Sequence, residues 1–387
     1  MPETDVFIIS AIRSAIARGN ENGALHPLEP VELSSKIMQE AVRRARIDAK
    51  RLDDVIWGVV TSVGNQGANL ARLSVLNAGF PVHVPGVSIN RMCGSSQQAV
   101  HFASQAILAG DADIILAGGT EMMSHQALGA DYPDEFPKSI PHEMVHQGVS
   151  AEMMAEKWEL TREEQDDFAY NSHIKAGAAM DAGYFNNQIV PLTIPASANG
   201  KRKEHLFHVD EGVRRQPERD KMGKLNPVFR KDGTVTAGNA SQISDGAGAL
   251  LLASADAVGR YNLMPIARVL TRAVVGTDPT LMLDGPIAAT KKALAMTNGL
   301  TLDDMDLIEI NEAFASVVLA WKKELNPDME KVNVNGGAIA QGHPLGATGA
   351  ILMTKLVHEM QRRKARFGLQ TMCIGHGMAT ATILELV

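Results

Sequence analysis

Two parts of the chain show the same succession of apolar and polar positions. Each begins with an apolar run typical of a strand, followed by an amphipathic helix that starts at a proline and by an acidic turn into a second apolar strand. A short strand ending in asparagine, a glycine-rich turn, a helix and a closing apolar strand come next. These landmarks begin at residues 6–9, 30–33, 54–57, 87–90 and 113–117 in the first part and at 266–270, 286–289, 306–309, 332–335 and 369–373 in the second. The shared order predicts an internal duplication.

Strands that alternate with helices predict an α/β protein with a mostly parallel sheet covered on both faces. We expect an N-terminal half at residues 1–119, completed by about 246–262, and a C-terminal half at 263–387. The repeated pattern breaks at 120–245, a stretch with several prolines and one good helical pattern around 152–179. An excursion of this length usually carries binding function. Reactive groups are expected where strands end and helices begin, because backbone N–H groups converge there.

Composition narrows the class of protein. The 387 residues are 45% apolar and 21% charged, which excludes a disordered chain and fits two domains, or two with an excursion. The net charge of −7 argues against general nucleic-acid binding. No apolar run approaches the roughly 18 residues of a membrane span, and the first residues do not resemble a signal peptide. Two cysteines and a C-terminus unlike a peroxisomal address favour a reducing compartment, so we expect a cytoplasmic protein.

Cys93 directly follows the predicted strand at 87–90 and precedes a helical pattern that stops at Gly110. The dipole of a helix favours a thiolate at its N-terminus, so this thiol is a candidate nucleophile. The alternative is a buried structural cysteine, which is the commoner role of a lone cysteine. The polar turn and the small residues around Cys93 favour the role of nucleophile over that of structural cysteine.

Two glycine-rich turns follow strands of the second part. His343 lies in the turn at 336–346, where it is a candidate base or oxyanion donor, although a lone histidine in a turn is more often a satisfied polar group. Cys373 ends the last predicted strand, and the glycines that follow it let the backbone direct N–H groups at a ligand. A disulfide between Cys93 and Cys373 is the weaker interpretation in a reducing compartment.

At these residues the chain resembles the thiolase family, nearly from end to end. Five stretches carry the likeness in family order: the Cys93 segment, TAGNAS at 236–241, NEAF at 311–314, GHP at 342–344 and CIG at 373–375. The likeness implies a duplicated thiolase fold, with two βαβαβ-type halves packed in α-β-α-β-α layers and an inserted loop domain that binds coenzyme A (CoA). It also implies a homodimer or homotetramer that could associate with other β-oxidation enzymes.

The thiolase likeness implies a two-step acyl transfer. Cys93 attacks the 3-keto carbon of a 3-ketoacyl-CoA and keeps the acyl group. Cys373, as general acid and base, protonates the departing acetyl-CoA enolate and then deprotonates an incoming CoA. His343 activates Cys93 and, with a water held by Asn311, forms one oxyanion hole, and the backbone N–H groups of Cys93 and Gly375 form a second. CoA is a substrate in this scheme, and no permanent cofactor or metal is implied.

Similarities within individual motifs indicate which type of thiolase the chain resembles. The Cys-Gly-Ser-Ser-x-Gln form of the Cys93 segment is more similar to degradative 3-ketoacyl-CoA thiolases than to biosynthetic acetoacetyl-CoA thiolases. The runs 309–318 and 332–342 resemble thiolases of steroid side-chain breakdown. We therefore expect cleavage of a 3-ketoacyl-CoA to acetyl-CoA and a shortened acyl-CoA. Condensation of two acetyl-CoA is the alternative, because the same residues work in either direction.

A basic segment at 201–231 holds ten lysine and arginine residues against five acidic ones. Such a surplus could be an ordinary solvated loop, but it also suits the phosphate charges of CoA. The thiolase likeness implies that Arg214 meets the adenine and that His146 contacts the pantetheine or thioester end. It further implies a pantetheine channel lined by Ala237, Ser241, Met282, Ala313 and Phe314.

Two positions depart from the family pattern. His376 stands in a turn where the family usually has glycine, so a positive φ there would cost some strain. Its ring either adds a titratable group beside Cys373 or points away. Gln147 stands where biosynthetic members often have methionine, which predicts an acyl pocket of a different shape.

Three other functions compete with this interpretation. Residues 142–146 match the His-Glu-x-x-His pattern of zinc hydrolases, but Pro141 and Gly148 leave little room for the helix that the motif needs. A ketoacyl synthase would use one cysteine with two histidines, so the second cysteine argues against it. A non-catalytic lipid or sterol carrier on a thiolase scaffold would not need all four catalytic candidates. No Gly-x-Gly-x-x-Gly motif opens a helix after the first strand, so a nicotinamide cofactor is not supported.

Overall fold

The computed structural model describes residues 5–196 and 203–387 of the chain. In this part of the chain the strands are β1 (Val6–Ser14), β2 (Ala17–Arg18), β3 (Asp54–Gly58), β4 (Val87–Ile89), β5 (Ile114–Met122), β6 (Ile189–Val190), β7 (Leu192–Ile194), β8 (His205–Phe207), β9 (Ser244–Ser254), β10 (Ala267–Gly276), β11 (Leu307–Ile310), β12 (Phe367–Ile374) and β13 (Met378–Leu386). Its helices are α1 (Pro30–Ala45), α2 (Leu70–Asn77), α3 (Ser95–Ala109), α4 (Gln147–Lys157), α5 (Arg162–Asp181), α6 (Arg219–Met222), α7 (Ala255–Tyr261), α8 (Gly285–Ala295), α9 (Ala315–Leu325), α10 (Ala338–Gln341) and α11 (Thr348–Arg363). None of these described helices combines the length and the apolar character needed to cross a membrane.

The strand order confirms the internal duplication. The large sheet runs β11-β12-β13-β10-β1-β9-β5-β3-β4. From the edge toward the centre, β3-β5-β9-β1 of the N-terminal half match β11-β12-β13-β10 of the C-terminal half, and β4 is an additional edge strand beside β3. The halves meet where β1 and β10 pair antiparallel over a short register, Phe7 with Arg268 and Ile8 with Ala267.

The prediction of a mostly parallel sheet is wrong. β3 pairs parallel with β4 and β5, and β11 pairs parallel with β12, as the alternation of strands and helices predicts. In each half, however, one more strand lies beside the first: β9 pairs antiparallel with β1 and β5, and β13 pairs antiparallel with β10 and β12. β13 follows β12 through a tight hairpin and β9 returns from the long excursion, so neither needs a crossover helix.

Helices α3 and α11 form a layer between the two halves. Their apolar residues, such as Val100 and Met353, share one core cluster with Leu250 of the N-terminal half and Leu384 of the C-terminal half. α1 packs on the outer face of the N-terminal strands, and α8 and α9 pack on the outer face of the C-terminal strands. The predicted α-β-α-β-α layering follows from these contacts.

The start of α1 and the end of α3 follow local sequence signals. α1 begins at Pro30 with a capping box formed by Glu29 and Glu32. α3 ends at Gly110, which takes the left-handed conformation with φ of 83° as its sequence position predicts.

The single helix predicted around 152–179 is wrong, because α4 and α5 are separate. Glu159 has a φ of 49° and turns the chain out of α4. Thr161 then starts α5 with a capping box: its hydroxyl accepts the Glu164 N–H, and the Glu164 carboxylate accepts the Thr161 N–H. The excursion between β5 and β9 also carries α6 and the short strands β6 to β8. The domain boundaries drawn from the sequence stay a prediction.

The strand predicted at 332–335 reduces to a bridge between Val332 and Ile308. Asn333, with φ of 43°, turns the chain away at this point. Its side-chain amide accepts a hydrogen bond from the Ile310 N–H and donates one to the Ile310 carbonyl, each at 2.9 Å. A side chain thus makes the pairing that a strand would have made, and the chain turns into the glycine-rich loop before α10.

Candidate active site

Cys93 lies in a tight turn between β4 and α3. Ser95 holds this turn: its hydroxyl accepts a hydrogen bond from the Arg91 N–H at 2.9 Å and donates one to the Met92 carbonyl at 2.6 Å. Met92 has a positive φ of 46°, and Gly94 occupies the cap position of α3. The prediction that Cys93 stands beside a helix N-terminus is therefore confirmed.

Burial dominates the ionisation of Cys93. It raises the pKa of the thiol to about 11, against the backbone N–H groups of Gly375 and of Cys93 itself, which favour the thiolate. The charge of Glu121 adds a smaller effect in the same direction as burial. The helix dipole was expected to stabilise the thiolate, but the effect of burial is larger. Cys93 therefore keeps its proton near neutral pH in the free protein.

Cys373, in β12 beside the hairpin, is also buried. Burial raises the pKa of its thiol far above the ordinary value, and a charge on Cys93 raises it further, so the two sulfur atoms lie within electrostatic reach of each other. Gly375, two residues further along, directs its N–H at the Cys93 sulfur. Both cysteines are free thiols in this structure. The fold therefore brings Cys93, Cys373 and Gly375 together.

The two ring nitrogens of His343 have different partners. Nδ1 lies 2.7 Å from the Thr348 hydroxyl, whose single proton is donated to the Pro344 carbonyl at 2.8 Å. Nδ1 must therefore carry a proton and donate it to Thr348, which leaves the lone pair on Nε2. Nε2 lies 3.3 Å from Nδ2 of Asn311, from which it accepts a hydrogen bond. Burial lowers the pKa of His343 to about 4, so near neutral pH the ring is uncharged and Nε2 is a free base.

Asn311 follows β11 directly and is fully buried. Its Oδ1 has no hydrogen-bond partner within the described residues. Buried amide oxygens normally find a donor, so this atom marks a place for a water or a ligand. The predicted role of Asn311 in holding a water stays a prediction.

An apolar cavity of about 490 Å³ adjoins these residues, and His343 forms part of its wall. Cys373 packs in one cluster with wall residues of the cavity such as Met282, and Cys93 packs against Met123 and Leu345, which also line the cavity. Both thiols therefore lie just beneath the wall. Of the predicted CoA contacts, the following line the cavity: His146, Ala237, Ser241, Met282, Ala313 and Phe314.

Backbone pairing explains why distant stretches share this wall. The Ser241 N–H donates to the Ala313 carbonyl at 2.9 Å, and the Ala315 N–H donates to the Asn239 carbonyl at 2.9 Å. The TAGNAS and NEAF motifs thus run side by side.

The excursion supplies wall residues that the sequence analysis missed. Phe229 stacks on His146 with ring centroids 5.2 Å apart and meets Phe314 edge-on. Tyr132 and Phe136 line another part of the cavity. Aromatic residues make up only 4% of the chain but recur in the excursion. That recurrence was the sequence feature that could have indicated these wall residues.

Glu121 is a second feature that the sequence analysis missed. It is fully buried in β5, and its carboxylate accepts hydrogen bonds from the backbone N–H groups of Val60, Thr61 and Gly346 at 2.9–3.1 Å and from the Gln66 side chain at 3.1 Å. Burial raises the pKa of Glu121 against these donors. The carboxylate therefore ties the His343 loop to the segment that follows β3. The sequence feature that could have indicated a role for Glu121 was its charge within an otherwise apolar strand.

His376 has a φ of 64°, so the strain considered for this position is present. Its ring lines the cavity and lies 5.8 Å from the ring of Tyr132 and 5.7 Å from that of Phe136. The alternative in which the ring points away from the site is therefore wrong. Gln147 also lines the cavity, as the expectation for the acyl pocket requires.

The zinc-hydrolase pattern at 142–146 does not form a helix, since α4 begins only at Gln147. His146 instead caps α4, because its Nδ1 accepts a hydrogen bond from the Gly148 N–H at 3.1 Å. The geometry that the zinc motif needs is absent from this described segment.

The basic segment is only partly described, since Lys201 and Arg202 lie outside the described residues. Several of its cations pair with carboxylates elsewhere: Arg215 with Asp181, Arg219 with Asp167 and Arg230 with Glu156. These pairs reduce the local surplus of charge. Arg214 is exposed, and its backbone N–H donates to His173 Nδ1 at 3.1 Å. It does not line the cavity, and its contact with adenine stays a prediction.

The fold and this site have counterparts among known proteins. Residues 6–256 match the family described as "Thiolase, N-terminal domain" and residues 263–386 match "Thiolase, C-terminal domain". The chain is 46% identical to the steroid 3-ketoacyl-CoA thiolase FadA6 of Mycobacterium tuberculosis, over 99% of this chain and 94% of that protein. Its structure is similar to the Bacillus anthracis acetyl-CoA acetyltransferase (TM-score 0.91, 39% identity, 100% and 99% of the chains). It is similar also to human mitochondrial 3-ketoacyl-CoA thiolase (TM-score 0.90, 37% identity, 100% of both chains).

The chain belongs to the thiolase family. It is an acyltransferase that acts on CoA thioesters, with CoA as a substrate and not as a resident cofactor. The relatives carry names of both degradative and biosynthetic thiolases, so the family alone leaves the direction of the reaction open.

Proposed function

We propose that the protein is a degradative 3-ketoacyl-CoA thiolase that forms acetyl-CoA and a shortened acyl-CoA through an acyl group on Cys93. One observation carries this proposal: besides His343 and the predicted pantetheine contacts, the cavity wall includes a largely apolar region that suits an acyl chain longer than acetyl. That region is formed by Leu128, Tyr132, Phe136 and Met144.

In the first half-reaction Cys93 is the nucleophile. His343 Nε2 takes the thiol proton as the sulfur attacks C3 of the substrate, and the resulting oxyanion accepts hydrogen bonds from the N–H groups of Cys93 and Gly375. The C2–C3 bond then breaks, its electron pair forms the enolate of acetyl-CoA, and Cys373 gives its proton to C2. The protonated Nε2 of His343 and a water on Asn311 stabilise the enolate oxygen.

In the second half-reaction the Cys373 thiolate takes the proton of an incoming CoA thiol. The CoA sulfur attacks the acyl thioester, Cys93 leaves as a thiolate, and it recovers its proton from His343. The raised pKa of both thiols supports this order, because each group starts protonated and becomes a strong base only after it has given up its proton.

CoA is assigned to the cavity and the basic segment. His146, Ala237, Ser241, Met282, Ala313 and Phe314 contact the pantetheine arm in this proposal, and Arg214 meets the adenine end. We further propose a cytoplasmic homodimer or homotetramer that could associate with other β-oxidation enzymes.

A substrate series tests the direction and the chain length. Thiolysis of 3-ketoacyl-CoAs with 4, 8 and 12 carbons in the acyl chain is compared with condensation of acetyl-CoA. The proposal expects kcat/KM for thiolysis to rise beyond the four-carbon substrate. Condensation with thiolysis confined to acetoacetyl-CoA would instead favour the biosynthetic alternative.

Two variants test the assignment of the thiols. Cys93→Ser should abolish both thiolysis and the mass increase of the acyl-enzyme. Cys373→Ala should still acquire the acyl group, seen by mass spectrometry, but turn over at least a hundredfold more slowly. Full thiolysis by the first variant, or normal turnover by the second, would remove that cysteine from its role.

A further inference from the structure

Gln97 places a buried amide in the first turn of α3, four residues after Cys93. Its Oε1 accepts a hydrogen bond from the Thr380 hydroxyl at 2.8 Å, and its Nε2 donates one to the Thr382 hydroxyl at 2.7 Å. Both threonines belong to β13 of the C-terminal half, and all three side chains are fully buried. One amide therefore connects the helix behind the Cys93 turn to two positions of a strand in the other half.

The strand that Gln97 binds is part of the hairpin that carries Gly375. β12 and β13 pair antiparallel on either side of this tight hairpin, and Thr380 lies opposite Met372, one residue before Cys373. Gly375 directs its N–H at the Cys93 sulfur. The amide thus joins the strand pair that carries one oxyanion donor to the helix that carries the nucleophile.

The Cys93 turn also contacts the hairpin through apolar side chains. Cys93 and Ile374 belong to one apolar cluster, and a Cβ on Gly94 would lie only 2.3 Å from the Ile374 side chain. A second polar contact of the same turn is made with α11, where the Ser96 hydroxyl accepts the Ala350 N–H at 2.9 Å. Close apolar packing sets the separation of turn and hairpin, but it has no preferred direction along the strand.

Alternation along β13 makes the amide contact specific for one register. Successive side chains of a strand point to opposite faces, so Thr380 and Thr382 share the face toward α3. Ala379 and Ala381 point to the other face, where they belong to the outer core cluster. A shift of one residue would turn both hydroxyls away and leave the buried amide without partners. A fully satisfied polar contact in a core thereby specifies a single arrangement.

Resting on the proposed thiolase function, we propose that Gln97 is a positioning residue that aligns the Gly375 N–H with the Cys93 sulfur and with the oxyanion formed there. A donor stabilises the transition state fully only if it is in place before the charge develops. Gln97 itself is fully buried and does not line the cavity, so it acts through the β13 threonines and without contact to the substrate.

Gln97→Met tests this role, because methionine keeps the length of the side chain and removes both hydrogen bonds. Rapid-quench mass spectrometry with 3-ketooctanoyl-CoA measures the rate constant of acyl transfer to Cys93 and the fraction of sites that become acylated. We expect the rate constant to fall about tenfold to a hundredfold, with the acylated fraction and the KM for CoA close to those of the wild type. A smaller acylated fraction at an unchanged rate constant would show a merely structural role and overturn the proposal.

Thr380→Val provides a milder variant, since it removes one of the two hydrogen bonds alone. It should slow acyl transfer by a smaller factor than Gln97→Met. The double variant should be scarcely slower than Gln97→Met, because both changes remove the same contact. Effects that simply multiply in the double variant would mean that Gln97 does not act through Thr380.

Ser104→Ala is the matched control. Ser104 is a buried residue of the same helix that accepts a hydrogen bond from Arg272 of the other half at 3.0 Å, but it lies farther from the Cys93 turn. Its loss should leave the rate constant of acyl transfer unchanged, and a loss equal to that of Gln97→Met would contradict a specific role of Gln97.

Deuterium exchange of the backbone amides at 375–378 follows the hairpin without turnover. Exchange there should become faster in Gln97→Met and stay unchanged in Ser104→Ala. A wild-type protein that forms no acyl-enzyme would refute the proposed function, while the exchange measurement would still decide whether Gln97 holds the hairpin in place. Unchanged exchange in Gln97→Met would overturn the inference.

Discussion

The hydroxyl of Thr348 fixes the tautomer of His343. The Nδ1–Oγ1 distance is 2.7 Å, and the hydroxyl proton is already committed to the Pro344 carbonyl at 2.8 Å. Thr348 is the first residue of α11, so the interior helix of the fold holds the candidate base in the form that can accept a proton at Nε2. Thr348 is thus a positioning residue that acts through His343.

Thr348→Val should lower kcat by about tenfold to a hundredfold and leave the KM for CoA nearly unchanged. Valine keeps the shape but removes the acceptor, so Nδ1–H loses its partner and the ring no longer has a fixed tautomer. Steady-state kinetics with a 3-ketoacyl-CoA measures both constants. Thr348→Ser should recover most of the activity. Thr354→Val, a buried threonine on the same helix, serves as control, and an equal loss of kcat there would indicate a merely structural role.

Cys93 should react slowly with alkylating agents at neutral pH. Burial raises the pKa of its thiol to about 11, and only the thiolate reacts. In the Cys373→Ser variant, where Cys93 is the one remaining cysteine of the sequence, the rate of iodoacetamide labelling should rise about tenfold per pH unit between pH 7 and 10. A rate that levels off below pH 8 would show that the thiolate already forms in the free protein.

Glu121→Ala should destabilise the fold by about 3–5 kcal/mol, because three backbone N–H groups and one side-chain amide would lose their acceptor in a dry interior. Urea unfolding measures this free energy. Glu121→Gln, which keeps one acceptor oxygen, should cost less, and Glu135→Ala at an exposed position should cost almost nothing. A small loss in Glu121→Ala would mean that water replaces the carboxylate.

Acid should weaken the fold through its buried histidines. Burial lowers the pKa of His101 to about 3, while the unfolded chain binds a proton near pH 6.5, so stability is lost as the pH falls from 6.5 toward 3. Each pH unit in this range costs about 1.4 kcal/mol for one such group. His101→Gln keeps a partner for the Thr382 hydroxyl but does not titrate. The difference in unfolding free energy between the variant and the wild type should therefore shrink or reverse on acidification, and a constant difference would contradict this account.

The sequence predicts the residues of the candidate site better than the sheet. Cys93 follows a strand and Cys373 lies at the end of one, and those positions could be predicted from periodicity and glycine placement. His343 instead follows the short helix α10, because the strand predicted before it does not form. The antiparallel direction of β9 and β13 could not be predicted, because an apolar run has the same pattern whichever way the strand runs. The partner of His343 was missed for a similar reason: Thr348 looks like an ordinary helix start, and only the folded chain shows where its hydroxyl proton goes.

Arg214 provides the sharpest test of the nucleotide site. Arg215 is paired with Asp181, so its charge is partly neutralised, whereas Arg214 is exposed and lies beside the excursion helix α5 through its backbone bond to His173. Arg214→Gln should raise the KM for CoA several-fold and flatten its dependence on salt, because the contact proposed for Arg214 is with a phosphate-bearing ligand. Arg215→Gln should have a smaller effect.

The acceptor thiol supplies the control for this prediction. N-acetylcysteamine carries the reacting thiol of CoA but neither adenine nor phosphate, so Arg214→Gln should leave its KM and the salt dependence of its reaction unchanged. An equal increase of KM for both thiols would mean that the substitution disturbs the cavity itself. In that case Arg214 would have no direct part in CoA binding, and the exposed cations Lys221 and Lys224 of the same segment would be the next positions to test.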